Sequence, residues 1–214
     1  MNRRNFMSQV AMASTAALAP KWALAQGHPR VIDIHAHCVW PGVADLVSGT
    51  AFQDRGYPDF LQLGAGANRI EAMDERSIDM QVLSINNYWW NGLEADMADK
   101  VVRYHDEQLA QWCNQHPDRF VALSSVSLEY PELAAAQLDH AVNELGLRGA
   151  SVGGHANGEA VSNARFDPFW AKADELDVPV FMHPTNSDQW VAPEIFDGAG
   201  SLPNIIGNPL ETTI

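Results

Sequence analysis

Five short apolar runs alternate with stretches of helical spacing, and this order constrains the chain more than any other feature. The runs occupy residues 31–37, 80–85, 120–126, 148–152 and 178–182. Asn68 suits an N-cap, followed by Ile70, Met73 and Ile78 on one helical face. A long helix is expected over residues 96–115, stopped by Pro117, and another over 131–145, opened by Pro131 and stopped by Gly146. Gly153-Gly154 reads as the turn after the fourth run, and a further helix is expected over 166–176. Residues 42–67 are glycine-rich without clear periodicity and read as a loop. A repeated strand–helix order builds a parallel sheet, because parallel strands need long crossovers.

Two of the strands end in histidine. Asp33-Ile34-His35-Ala36-His37 closes the first run, and Met182-His183-Pro184 closes the fifth. Side chains on a strand alternate between faces, so His35 and His37 point the same way. A third imidazole from another strand tip would complete a divalent metal site with a position left for water or substrate. The bland alternatives are a chance H-x-H pair and a hydrogen-bonded histidine at a strand end. Both histidine sets close strands at the C-terminal end, where a (β/α)₈ barrel carries its active site. An open doubly wound sheet is the structural alternative, but no G-x-G-x-x-G turn follows the first strand.

A (β/α)₈ TIM barrel needs eight strands, so on that reading this sequence, with about five of them, is an incomplete barrel. Asn208 and Pro209 read as the N-cap and first turn of one more helix, which stops at Ile214. A C-terminally truncated sequence is the expectation. Such a chain alone would be insoluble or loosely packed, with weak metal affinity and no turnover, because five strands cannot close a barrel.

The N-terminus carries a targeting pattern. Arg3-Arg4 with Phe6 and Met7, a short apolar stretch over residues 10–19, and Ala23-Leu24-Ala25 together read as a twin-arginine signal peptide of residues 1–25. Residues 26–214 would then be the mature, periplasmic part. The apolar stretch is too short for a lasting membrane anchor. Formal net charge is −14, and removal of Arg3, Arg4 and Lys21 leaves about −17. That charge excludes nucleic acid as a partner. Cys38 and Cys113 are the only cysteines, too few for a disulfide framework, and Cys38 should face away from the histidines.

Several longer segments resemble the amidohydrolase-related family that includes aminocarboxymuconate semialdehyde decarboxylase and the resorcylate-type decarboxylases. They are Asp33-Ile-His-Ala-His37, Met73-Asp74 with Ser77-Ile78-Asp79, and Pro117-Asp118-Arg119-Phe120. Residues 149–158, 166–170, 179–184 and 207–213 continue the likeness in family order. The resemblance implies a (β/α)₈ barrel with one divalent metal ion, zinc or manganese, held by His35, His37 and His183. It also implies a further aspartate ligand on the last strand and an assisting histidine on the sixth, neither of which falls within residues 1–214. The catalytic residues are accordingly unassigned. Dinuclear relatives use a bridging carboxylated lysine from mid-barrel. The mature part has only Lys100 and Lys172, both in expected helices, which agrees with a single metal.

The leading functional expectation is a metal-dependent carboxy-lyase acting on a small unsaturated or aromatic carboxylic acid. A lactone or amide hydrolase and a non-catalytic fragment are the alternatives, and a homodimer is expected of a full-length form. His155, in the loop after the fourth strand, is a candidate substrate-binding residue. Trp89, Trp90 and Trp190 are candidates to wall an aromatic pocket, or else pack loops onto the barrel. His105, His116 and His140 fall on helix faces or ends, and Glu94, Asp96 and Asp99 cluster near a helix start; neither group receives a role.

Overall fold

The computed structural model describes residues 30–53, 61–63, 68–85, 89–185, 200 and 202–211. The chain divides into two compact units, Met1–Val31 and Ile32–Ile214. The second is described below; the signal-peptide expectation and Trp190 lie outside the described residues.

Five parallel strands form the frame: β1 (Ile32–His37), β2 (Met80–Ser84), β3 (Phe120–Ala122), β4 (Ala150–Gly153) and, after a small hairpin of β5 (His155–Ala156) and β6 (Glu159–Ala160), β7 (Val180–His183). β1, β2 and β3 pair in parallel, β4 pairs in parallel with β7, and a parallel bridge from Ser124 to Ala150 joins the two groups. The spatial order is therefore β1-β2-β3-β4-β7. The crossovers are α2 (Arg69–Glu75), α3 (Ala95–Gln115), α4 (Pro131–Asn143) and α5 (Asp167–Glu175), with a short α1 (Val43–Leu46) in the segment after β1. None of the described helices is long and apolar enough to cross a membrane.

Local signals account for the helix ends. The Asn68 side chain accepts from the Glu71 backbone N–H, which satisfies one of the free donors of the first turn of α2. Pro131 opens α4, where its missing N–H costs nothing. Gly146 then takes φ 73°, a left-handed conformation that ends helices readily. Gly149 is required for another reason: a Cβ there would strike the Pro179 carbonyl, so glycine lets the chain entering β4 approach the chain entering β7.

The helix-facing side of the sheet is sealed. Leu83, Phe120 and Ala122 pack with Met73 of α2 and with Leu109 and Ala110 of α3. Ala150 and Val152 pack with Leu138 of α4 and Phe169 of α5. A third cluster, at the C-terminal end of the strands, holds Val39, Phe52, Trp89, Trp90 and Val101 together. Each large side chain buried this fully is worth about 1.5–3 kcal/mol. Ile32, Ile34 and Met182, on the first and last strands of the order, remain 50%, 60% and 40% exposed.

Three sequence expectations need correction. The third strand is three residues long, not seven: past it Ser124 makes only a single bridge, to Ala150 of β4, and the Ser127 backbone N–H turns to the Gln137 side chain. Gly153 belongs to β4, not to a turn, and the turn falls at Asn157–Gly158, with φ 49° and 81°. Asn208 is not an N-cap. It opens α6 (Asn208–Glu211), which directly continues a wider π-type turn, Pro203–Gly207. A proline cannot donate to the preceding turn and crowds the carbonyl four residues back, so a widened turn before Pro209 relieves both problems.

Candidate metal centre

β1 and β7 stand at opposite ends of the sheet order, yet their C-terminal histidines meet. The imidazole centroids of His35 and His37 are 4.6 Å apart, and each lies 4.9 Å from that of His183. The sheet curls until its first and fifth strands face each other across the interior. Phe181, two residues before His183 on β7, has its ring centroid 5.5 Å from that of His35.

The three side chains fit one ion. One nitrogen from each lies within 4.8 Å of the others. Nitrogens bound to one ion at about 2.0–2.2 Å are separated by at most about 4.4 Å, so a small ring rotation completes the set. The His35 and His37 Nε2 atoms are already 3.0 Å apart. His183 Nδ1 lies 2.6 Å from the Pro184 carbonyl, which only accepts, so Nδ1 carries the proton and Nε2 presents its lone pair. The pKa of His37 is lowered to about 4 by burial, helped by repulsion from His183, His35 and Arg69. It is therefore neutral at physiological pH, the form a metal requires. Three nitrogens with no fourth side chain among the described residues leave room for an exogenous ligand.

A network behind β1 holds two of these ligands. The Arg69 guanidinium donates to the His37 carbonyl at 2.7 Å and to Gln81 Oε1 at 3.2 Å. Gln81 Nε2 donates to Asp33 Oδ2 at 2.9 Å, and the His35 backbone N–H donates to Asp33 Oδ1 at 3.1 Å. Sequence reasoning missed this support. One signal was present: Arg69 puts a cation in the first turn of a helix, where the dipole disfavours it, so another partner must hold it there.

The other expected residues fall as follows. Cys38 is buried away from the triad in the helix-side core, and burial pushes its thiol up to about 12. His155 is half-buried on β5, directly after β4, and is not one of the three converging side chains. Trp89 lies 5.7 Å, centroid to centroid, from His183, whereas Trp90 turns away and donates its indole N–H to Ser125 Oγ at 3.1 Å. His105 is fully buried on α3, and His116 stacks against Trp112.

A curled parallel sheet with a histidine triad at its C-terminal strand ends defines a metal-dependent hydrolase-type barrel. The amidohydrolase family pattern matches residues 32–207, and the chain belongs to that family. It is 34% identical over 128 residues to gamma-resorcylate decarboxylase of Rhodococcus jostii, a match covering 55% of this chain and 39% of that protein. It superposes with a TM-score of 0.72 on 5-carboxyvanillate decarboxylase of Novosphingobium aromaticivorans, solved with manganese and a nitrobenzoic acid; identity is 25%, over 88% of this chain and 59% of the other. A dihydroxybenzoic acid decarboxylase of Polaromonas, solved with manganese and 2-nitroresorcinol, gives a TM-score of 0.63 at 27% identity, covering 82% and 55%. The fold is thus the first five strands of a (β/α)₈ barrel. The chain spans 39% of the length of the Rhodococcus relative and 59% of the Novosphingobium one.

Proposed function

We propose that the protein is a metal-dependent carboxy-lyase that removes CO₂ from a small hydroxylated aromatic acid. The carrying observation is the convergence of His35, His37 and His183 at the C-terminal ends of β1 and β7. The manganese-bound decarboxylases it resembles support the choice of reaction and of metal, with zinc the other candidate. A divalent ion bound there would supply Lewis-acid stabilisation of negative charge on the substrate's oxygens. His35, His37 and His183 would hold it, with Arg69 and Asp33 fixing the backbone of β1 so that two of the rings stay aligned. The aromatic ring would enter from the loop side, between the segment after β2 and the hairpin that carries His155. His155 is proposed as a substrate-side residue there.

The proposal extends to location and assembly. Arg3, Arg4 and Ala23-Leu24-Ala25 support export to the periplasm by the twin-arginine route, with cleavage after Ala25. A homodimer is proposed for a full-length form. Mass spectrometry of the exported N-terminus tests the first, and sedimentation of that form tests the second.

Incubation of a manganese-loaded full-length form with 2,6-dihydroxybenzoate tests the reaction, followed by release of CO₂ and appearance of resorcinol. Release that requires the metal supports the reading. Lactone or amide hydrolysis without decarboxylation overturns it in favour of a hydrolase.

A further inference from the structure

The segment after β2 carries two adjacent tryptophans in conformations that side-chain-bearing residues rarely adopt. Trp89 has φ 29° and Trp90 has φ 54°. Such backbone persists only where surrounding contacts over-determine it, and it concentrates at ligand sites. The contacts are present. Glu129 Oε2 accepts from the Gly92 backbone N–H at 2.6 Å, and Tyr130 donates its hydroxyl proton to the Leu93 carbonyl at 2.8 Å. The other Glu129 oxygen accepts from Asn157 Nδ2 at 3.0 Å. One carboxylate therefore ties the tryptophan segment to the hairpin after β4.

The two tryptophans then differ. Both are buried, but Trp90 donates to Ser125, whereas the Trp89 indole N–H has no hydrogen-bond partner among the described residues. A buried donor left unpaired is costly, and tryptophan in a core normally finds an acceptor. Trp89 is the one beside the triad. Its ring lies against His183, and its Cε3 is 3.5 Å from where a Cβ on Gly153 would stand. Gly153 is the register partner of His183. A side chain at position 153 would also fall 2.5 Å from Thr185 Cγ2, so glycine keeps this wall clear for the indole.

We infer that Trp89 is a substrate-binding residue, its ring packing against the aromatic acid held at the triad and its indole N–H donating to an oxygen of that acid. The inference rests on the decarboxylase reading above and names a contact that reading does not need. Glu129 is the positioning residue that holds the strained segment in place.

The test uses a manganese-loaded full-length form and 2-nitroresorcinol as probe. Binding is measured by calorimetry for the wild type, Trp89→Phe and Trp89→Ala, with manganese content measured in parallel. Trp89→Phe keeps a ring and loses the donor, and it is expected to bind the probe about tenfold more weakly with unchanged manganese. Trp89→Ala should lose more. In a ¹⁵N–¹H spectrum of the zinc-loaded protein, which is diamagnetic where manganese would erase signals beside the site, the indole resonance missing from Trp89→Phe should shift when the wild type binds the probe. Equal affinity in Trp89→Phe overturns the inference, as does an unmoved Trp89 resonance in saturated wild type. Loss of manganese together with the probe in Trp89→Phe also overturns it, because the residue would then act on the fold. A wild type that holds manganese but ignores 2-nitroresorcinol overturns the aromatic-acid reading itself, and this contact with it.

Discussion

β2 and β3 sit in the middle of the sheet under α2 and α3, with Leu83, Phe120 and Ala122 sealed from water. β1 and β7 sit at its two ends, with Ile32, Ile34 and Met182 partly exposed, and they carry all three histidines. Stability and chemistry are thus carried by different strands. β1 and β7 share no ladder hydrogen bonds, since β1 pairs with β2 and β7 with β4. A metal at the triad would be a direct tie between them. The difference makes the central strands sensitive to packing and the outer ones sensitive to ligand.

The largest effect should come from the centre. Phe120→Ala removes a fully buried ring between the sheet and α3 and should cost about 3–5 kcal/mol of unfolding free energy. Met182→Ala on β7 should cost under about 1 kcal/mol, because much of that side chain already meets water. Denaturant unfolding of the two variants checks the ratio. Similar losses would end the distinction between central and outer strands.

Next comes a pH effect from behind the central strands. Asp106 of α3 is fully buried, and burial raises its pKa to about 7, although the Ser124 hydroxyl donates to it. The folded state therefore holds a proton there that the unfolded chain releases near pH 3.8. The sign follows from linkage. This group's contribution is most favourable below pH 3.8, falls as pH rises toward about 7, and levels off above. Asp106→Asn should remove that slope, so the variant gains on the wild type by up to about 4 kcal/mol between those limits. Parallel stability curves across that range would show that the carboxyl ionises freely in the fold.

The metal tie ranks third. Manganese at a hundredfold excess over its dissociation constant should add about 2.7 kcal/mol to the wild type. His35→Ala, His37→Ala and His183→Ala should each abolish that increment and the bound metal, while barely altering the metal-free melt. A His183→Ala variant that keeps one manganese per chain would show that β7 takes no part in the site.

These contrasts explain what the sequence revealed and what it hid. His35, His37 and His183 were legible because strand alternation is strict and each set closes an apolar run. The parallel order was legible because the helices between the runs carry their own start and stop residues, such as Asn68, Pro131 and Gly146. The hairpin of β5 and β6 was not read, although Asn157-Gly158 is a hairpin signal, because two-residue strands show no periodicity. The Arg69–Gln81–Asp33 support was hidden for another reason. Its members are 36 and 12 residues apart along the chain, and only the packing of α2 on β1 and β2 brings them together. The buried state of Asp106 was equally hidden, since an aspartate in the middle of a helix ordinarily marks its solvent side.

The smallest expected effect tests the outer strands most directly. Ile34 of β1 is 60% exposed, so Ile34→Lys removes little buried area and introduces a charge where water already reaches. Unfolding free energy should change by no more than about 0.5 kcal/mol. Lysine on an edge strand also opposes pairing with another chain, so the variant should stay soluble to higher concentration than the wild type. Calorimetric melts at several protein concentrations, with light scattering, measure both. A loss above about 2 kcal/mol that grows with concentration would mean that another copy covers β1 in solution. The exposed face of β1 would then be a buried interface, and the contrast between sealed and open strands would hold only for the isolated chain.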